Sequence, residues 1–291
     1  MQYKITRVSC HLQEFNMKRG IIKFLLFFLL SSSFSNTQVL EPDWKKGVVV
    51  IDQKVGNNLE AIATGIAIMF RNTTYIVTNA HVATLSNLYL RINSKDHGSP
   101  PIELSIDSIL SSRGIPLAKS PDADIAAIPM FKYSSMEKQF DSLELKSIGI
   151  SLFKNWDYIN EGDDLFVLGF PMQLGSGTRS QPVYRYGIVS LKDKPGQYLI
   201  DCTIYPGNSG GPVFLKPSFY NYRDKSIRAG TSAYFVGIVS AYIPYTDVAI
   251  STQTKRPRIT FEENSGLAIV ISADKIQELL ATFSAKYKLD E

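Results

Sequence analysis

The 291-residue chain is poor in the residues that cross-link or hold metals: it has two cysteines, Cys10 and Cys202, and three histidines, His11, His81 and His97. Two cysteines cannot build a disulfide framework or a zinc ribbon. The sequence also lacks a long apolar run. Its longest, Phe24 to Leu30, is too short to span a bilayer, which needs about 20 residues. Internal repeats, low-complexity tracts and alternating strand–helix units are absent as well, which argues against a solenoid, a disordered chain or a parallel α/β sheet.

The short apolar run has a recognisable setting. Lys18, Arg19 and Lys23 precede it and Ser31, Ser32, Ser33 and Ser35 follow it, the pattern of a secretory signal peptide over residues 1–35, cut near Ser35–Asn36. An uncleaved N-terminal anchor is the alternative, and Met17 is a candidate start. Residues 1–35 carry five of the 31 basic residues and one of the 27 acidic ones, so the remainder is neutral and gives no sign of a nucleic-acid partner. With Cys10 removed, Cys202 is alone; a buried core thiol is the plain reading and a redox switch the sharper one. The expected product is secreted or periplasmic, with no stable membrane anchor.

From Lys46 to about Ile271 the sequence breaks into short runs rich in β-branched and aromatic residues, such as 47–51, 62–70, 73–78, 88–92, 165–168, 183–191, 198–205, 234–243 and 267–271. Gly, Pro, Asn, Asp and Ser separate them. That is an all-β chain, barrel or sandwich. One helix closes it over residues 272–288: Ser272 stands at the N-cap, Asp274 in the first turn, and Ile276, Leu279, Leu280, Phe283 and Tyr287 make one apolar stripe, expected to lie outside the last sheet. Residues 129–163 are weak in strand signal and suit a crossing between two halves, 44–150 and 151–271.

The chemistry concentrates in Pro206-Gly207-Asn208-Ser209-Gly210-Gly211-Pro212. A serine amid glycines suits a tight loop that presents both a nucleophile and backbone N–H groups. The spacing also matches the nucleophile elbow of α/β-hydrolases, but that fold places its histidine after the serine, and every histidine here lies before it. His81 follows the apolar run 75–78, where a sheet can aim it, whereas His97 sits in a polar turn. Asp124 opens the apolar run 125–128 and can orient an imidazole; Asp122 is its competitor, beside the Ser120-Pro121 turn. Asp52, His81 and Ser209 keep the chain order of a subtilisin site, though without its serine motif or helices.

Val77-Thr78-Asn79-Ala80-His81-Val82, Asp124-Ile125-Ala126 and Gly207-Asn208-Ser209-Gly210-Gly211-Pro212 resemble, in order, the three signature blocks of trypsin-like serine proteases, nearest the HtrA/Deg-like branch without its PDZ domain. The blocks at Thr64-Gly65-Ile66-Ala67, Gly169-Phe170-Pro171, Gly187 to Ser190 and Val236 to Ser240 agree. The resemblance implies two six-stranded antiparallel β-barrels and a serine endopeptidase acting on polypeptides without a cofactor. It assigns His81, Asp124 and Ser209 as the triad and the N–H groups of Gly207 and Ser209 as the oxyanion hole. Ser240 would hydrogen-bond Asp124 and border the substrate. Thr203, with Ile204 beside it and Tyr242 on the facing strand, would favour a small or apolar side chain before the scissile bond. Asn208 replaces the aspartate that pairs with a freshly cut N-terminus in trypsin-like zymogens, so that activation is not expected. A catalytically silent binding module and an esterase are the other readings of the same residues.

Overall fold

A computed structural model describes residues 42–132, 140–217, 220–221, 226–227 and 233–289. The expected signal peptide, with Met17 and Cys10, lies outside the described residues. None of the described helices is long and apolar enough to cross a membrane.

The first half is an eight-stranded sheet. Its strands are β1 (Val48–Val55), β2 (Asn58–Phe70), β3 (Thr73–Thr78), β4 (Leu88–Ile92), β5 (Ile102–Ser105), β6 (Ala118–Lys119), β7 (Ala126–Lys132) and β8 (Ile148–Gly149). They pair in the order β5-β4-β1-β2-β3-β7-β6, antiparallel throughout, with β8 joining β2 in parallel. β1 turns into β2 at Gly56-Asn57, where Gly56 takes a φ of +62° that a side chain would strain.

Between β5 and β6 lies a short helix, Ile106–Arg113, which sequence periodicity does not announce. Its ends are conventional. Ser105 caps the first turn by accepting from the Ser108 N–H, and Gly114 closes it in the left-handed conformation.

The second half is a closed six-stranded barrel. β9 (Asp164–Gly169), β10 (Val183–Lys194), β11 (Gln197–Asp201), β12 (Pro212–Leu215), β15 (Tyr234–Ile250) and β16 (Pro257–Ser272) close in the order β10-β11-β16-β15-β12-β9. A minor pair, β13 (Tyr220–Asn221) with β14 (Ser226–Ile227), precedes β15. β15 and β16 continue beyond the barrel as a two-stranded ribbon, pairing from Pro244–Asn264 out to Ile250–Pro257. Tyr245, Ile250, Ile259 and Phe261 are exposed on it.

Strand alternation explains three cores. In β1, Val49 and Ile51 point into the first sheet, where Ile76, Leu90 and Ile128 meet them. Val48 and Val50 point the other way, into a seam shared with Leu168, Phe170, Phe214 and Phe235 of the second half. Both faces of β3 and of the first five residues of β1 are therefore buried, and Val48 to Ile51 and Tyr75 to Val77 read as unbroken apolar runs. The barrel interior is filled by Leu165, Val167, Tyr198, Ile200, Val213 and Val270, with Cys202 among them. Each such apolar side chain contributes about 1.5–3 kcal/mol when fully buried.

The closing helix is Ala273–Lys286. Ser272 occupies its N-cap, but its hydroxyl makes no capping bond and is buried without a partner among the described residues. Ile276, Leu280 and Phe283 pack into the seam rather than only on the outside of the barrel. Lys275 meets Asp122 of the first half at 2.7 Å.

Candidate active site

His81 stands in the helical turn Ala80–Ala83 directly after β3, so the sheet fixes where its ring is aimed. Asp124 lies at the mouth of β7, the strand that pairs with β3 at Thr78–Ala126. Asn79 ties the two together by donating its amide to the Asp124 carbonyl at 3.0 Å. His81 Nδ1 is 2.8 Å from Asp124 Oδ2, and the His81 backbone N–H donates to Oδ1 at 3.0 Å. Ser240, on β15 in the second half, donates its hydroxyl to Oδ2 at 2.7 Å. The carboxylate thus has three donors.

Burial works to raise the Asp124 carboxyl, but donation from the His81 ring, the His81 backbone and Ser240 outweighs it and holds the group at about 2. In return the hydrogen bond to Asp124 raises His81 above its ordinary value, against the opposing pull of partial burial. Asp122 is not part of this pair: it bonds Ser120 and Lys275 in the open. Asp52 is fully buried and bound to Arg91 at 2.7 Å, so the subtilisin-like alternative of Asp52 with His81 is not formed. His97 is exposed, near Glu144.

The loop carrying Ser209 is fixed plane by plane. Met172 N–H donates to the Pro206 carbonyl at 2.7 Å, and Asn208 N–H to Tyr205 at 3.0 Å. The Gly207 carbonyl accepts from the Thr64 hydroxyl at 2.7 Å, the Asn208 carbonyl from Gly211 N–H at 2.8 Å, and the Ser209 carbonyl from Thr64 N–H at 2.9 Å. Gly210 N–H donates to Val239 at 2.9 Å. The N–H groups of Gly207 and Ser209 have no acceptor among the described residues. They are the two backbone donors of the loop that the sequence resemblance assigns to an oxyanion.

Glycine is required here. Gly207 has a φ of +99°, and a Cβ on it would meet the Phe170 carbonyl at 2.2 Å. Gly210 has a φ of +79°, and a Cβ would lie 2.2 Å from the Thr64 carbonyl and 2.3 Å from Thr78 Oγ1. That contact seats the Ser209 loop against the end of β3, close before His81. Val239 holds Gly210 while its neighbour Ser240 holds Asp124. The structure therefore gathers His81, Asp124, Ser209 and Ser240 along one seam, although no hydrogen bond joins Ser209 to His81 among the described residues.

Of the expected substrate-side residues, Thr203 is half-buried and faces Gly266: a Cβ at Gly266 would stand 3.9 Å from Thr203 Oγ1. Tyr242 is half-buried on β15, its hydroxyl donating to Glu262 at 2.7 Å. Ile204 does not accompany them. Its side chain is buried in the barrel core, and its carbonyl accepts from Asn264. Past the end of β11, Cys202 and Ile204 are buried while Thr203 between them is half-buried. Cys202 is likewise interior, and burial pushes its thiol up. Thr64, Met172, Glu262 and Asn264 carry bonds around the site that single-residue motifs do not reveal.

A family model described as a trypsin-like peptidase domain matches residues 63–217. Among solved structures, a serine endoprotease from Yersinia pestis is 17% identical, with 83% of this chain and 64% of that one covered at a TM-score of 0.47. An HtrA-type protease solved with a tripeptide is 18% identical, with 82% and 60% covered at 0.45. The chain spans less than two thirds of the length of either. No curated protein matches the sequence.

Proposed function

Since the chain belongs to the family of trypsin-like peptidases, we propose that it is an exported serine endopeptidase that cleaves polypeptides through His81, Asp124 and Ser209. The observation that carries this reading is the Asp124 carboxylate, bonded at once to His81 and to Ser240 across the seam from the loop of Ser209. A carboxylate on Nδ1 keeps the proton there and leaves Nε2 free to take one from a hydroxyl.

In this mechanism Ser209 Oγ attacks the scissile carbonyl as His81 Nε2 accepts its proton. The oxygen that becomes negative is received by the Gly207 and Ser209 N–H groups. His81 then returns the proton to the leaving amine, freeing one half of the substrate and leaving the other as an ester on Ser209. Water, deprotonated by the same imidazole, hydrolyses that ester. Asp124 stays ionised throughout, consistent with a carboxyl held at about 2.

In this reading Thr203 and Tyr242 border the side chain before the scissile bond, and their lack of charge favours small or apolar groups. A peptide library cut mainly after Arg or Lys would exclude that preference. Export rests on residues 1–35, the basic-then-apolar start; sequencing the N-terminus of the secreted or periplasmic product tests it, with Asn36 expected first.

The deciding experiment is fluorophosphonate labelling of the mature chain beside Ser209→Ala and His81→Ala, read by peptide mass spectrometry. Labelling at Ser209, lost in both variants, is the expected result. A mature, folded chain that takes up no label at pH 8 would refute the catalytic reading in favour of a binding module.

A further inference from the structure

Thr64 lies on β2 in the first half, fully buried, yet it grips the second half's loop at two points. Its hydroxyl donates to the Gly207 carbonyl at 2.7 Å and its backbone N–H donates to the Ser209 carbonyl at 2.9 Å. The same hydroxyl accepts from the Phe170 N–H at 3.2 Å, which assigns its single proton to Gly207. Its carbonyl accepts from the Thr78 hydroxyl at 2.9 Å, near the end of the strand that leads to His81. One residue therefore touches the His81 strand, the Phe170 turn and both sides of Asn208.

The side chain of Asn208 does not share this work. It is fully buried, and both ends of its amide lack a hydrogen-bond partner among the described residues. Nothing on the loop's own buried side chain fixes the two peptide planes that bracket it. Within the loop the Asn208 N–H on Tyr205 and the Gly211 N–H on the Asn208 carbonyl hold those planes, and the Thr64 hydroxyl adds the one side-chain bond, from across the seam.

We propose that Thr64 is a positioning residue for the oxyanion cradle: its hydroxyl locks the Gly207 carbonyl, and so keeps the Gly207 and Ser209 N–H groups aimed at one point. The inference rests on the reading of Ser209 as the nucleophile. With the hydroxyl gone, the Gly207 carbonyl has no donor among the described residues, and the plane between Gly207 and Asn208 keeps one of its two bonds, from the Asn208 N–H to Tyr205 at 3.0 Å. The pairing of His81 with Asp124 does not involve Thr64 and stays as it is. The fault then appears in the stabilisation of negative oxygen and not in the supply of a base.

Labelling kinetics separate the two. Phosphonylation of Ser209 by a fluorophosphonate places a P–O oxygen in the cradle, so its rate reports the cradle, while its rise with pH reports His81. The full mature chain is compared with Thr64→Val, which keeps the branched shape without the hydroxyl, and Thr64→Ser, which keeps the hydroxyl. The Val variant is expected to label about 100-fold more slowly at the pH plateau, in line with the loss of one cradle donor, with its pH midpoint unchanged. The Ser variant is expected within about threefold of the parent. If the Val variant does not fold by near-UV circular dichroism, Thr64→Cys replaces it, a weak donor of similar volume expected to be at least about tenfold slower than Ser.

A folded Val or Cys variant that labels as fast as the parent overturns the proposal alone. So does a Ser variant as slow as Val. A parent that never labels at Ser209 overturns the reading of the site, and the proposal with it.

Discussion

Replacing Asp124 by Asn exchanges one oxygen for an NH2 group, and the surrounding donors decide which way the amide turns. The His81 backbone N–H donates to Oδ1 at 3.0 Å and cannot do otherwise, so the amide oxygen must take that position. The amide NH2 then occupies the Oδ2 position, which faces His81 Nδ1 at 2.8 Å and Ser240 Oγ at 2.7 Å. Its two hydrogens suit those two neighbours, because the Ser240 hydroxyl can turn round and accept. His81 Nδ1 is thereby made an acceptor, and the ring proton moves to Nε2, the nitrogen that has to receive the proton of Ser209. The base is lost without a clash or a cavity. In the triad template this change lowers kcat by about 10⁴, which is ~5.4 kcal/mol of barrier. KM should move little, since no substrate contact is altered. The hydrogen bond that raises His81 is also removed, so the acid limb of the rate profile shifts to lower pH. Steady-state hydrolysis of an activated ester between about pH 5 and 9, a span that brackets the ordinary histidine range, measures both effects. A fall of less than tenfold, or an acid limb that does not move, would refute the assignment of Asp124 as the group that orients His81.

Other substitutions probe the packing and the buried charges. Gly210→Ala drives a Cβ to 2.2 Å from the Thr64 carbonyl at a φ of +79°, and should lower urea stability by about 3 kcal/mol or more while abolishing labelling; a fully stable variant contradicts the packing of the loop on β3. Arg91→Met leaves the fully buried Asp52 carboxylate without its 2.7 Å partner, a loss of about 3–5 kcal/mol at pH 7. Desolvation already raises Asp52, so the loss, measured by urea unfolding, should shrink as pH falls and the carboxyl protonates. Asp124 shifts the other way, from 3.8 to about 2: its stabilisation is present above pH 3.8 and drains away between about pH 4 and 2. The urea midpoint of Asp124→Asn should accordingly fall less across that window than the parent's, and equal slopes would deny the shift.

The strands are legible in the sequence wherever one face or both meet a core. β1 and β3 show it best, because apolar runs such as Val48 to Ile51 and Tyr75 to Val77 are what two-sided burial demands. The ribbon beyond Ile243 is not legible, since residues 244–263 face water on both sides and carry Pro244 and Pro257, so no alternation develops. The helix Ile106–Arg113 is too short for periodicity, though Ser105 and Gly114 mark its ends. Motif order is enough to single out His81, Asp124 and Ser209. Thr64 is invisible as a site residue because its importance lies in bonds to positions more than 100 residues away. Ile204 is misplaced because, past the end of β11, its side chain enters the barrel core while its neighbour Thr203 stays half-buried.

The division of the site between two halves also has a bearing on the order of synthesis. A ribosome delivers His81 and Asp124 first, on the strands of the first half. Ser209 arrives later, and Ser240, which completes the set of donors to Asp124, comes later still. Phe283, in the final helix, belongs to the seam that presses the two halves together. A chain cut between the halves therefore lacks both the Ser240 donor to Asp124 and the packing of Phe283 in the seam.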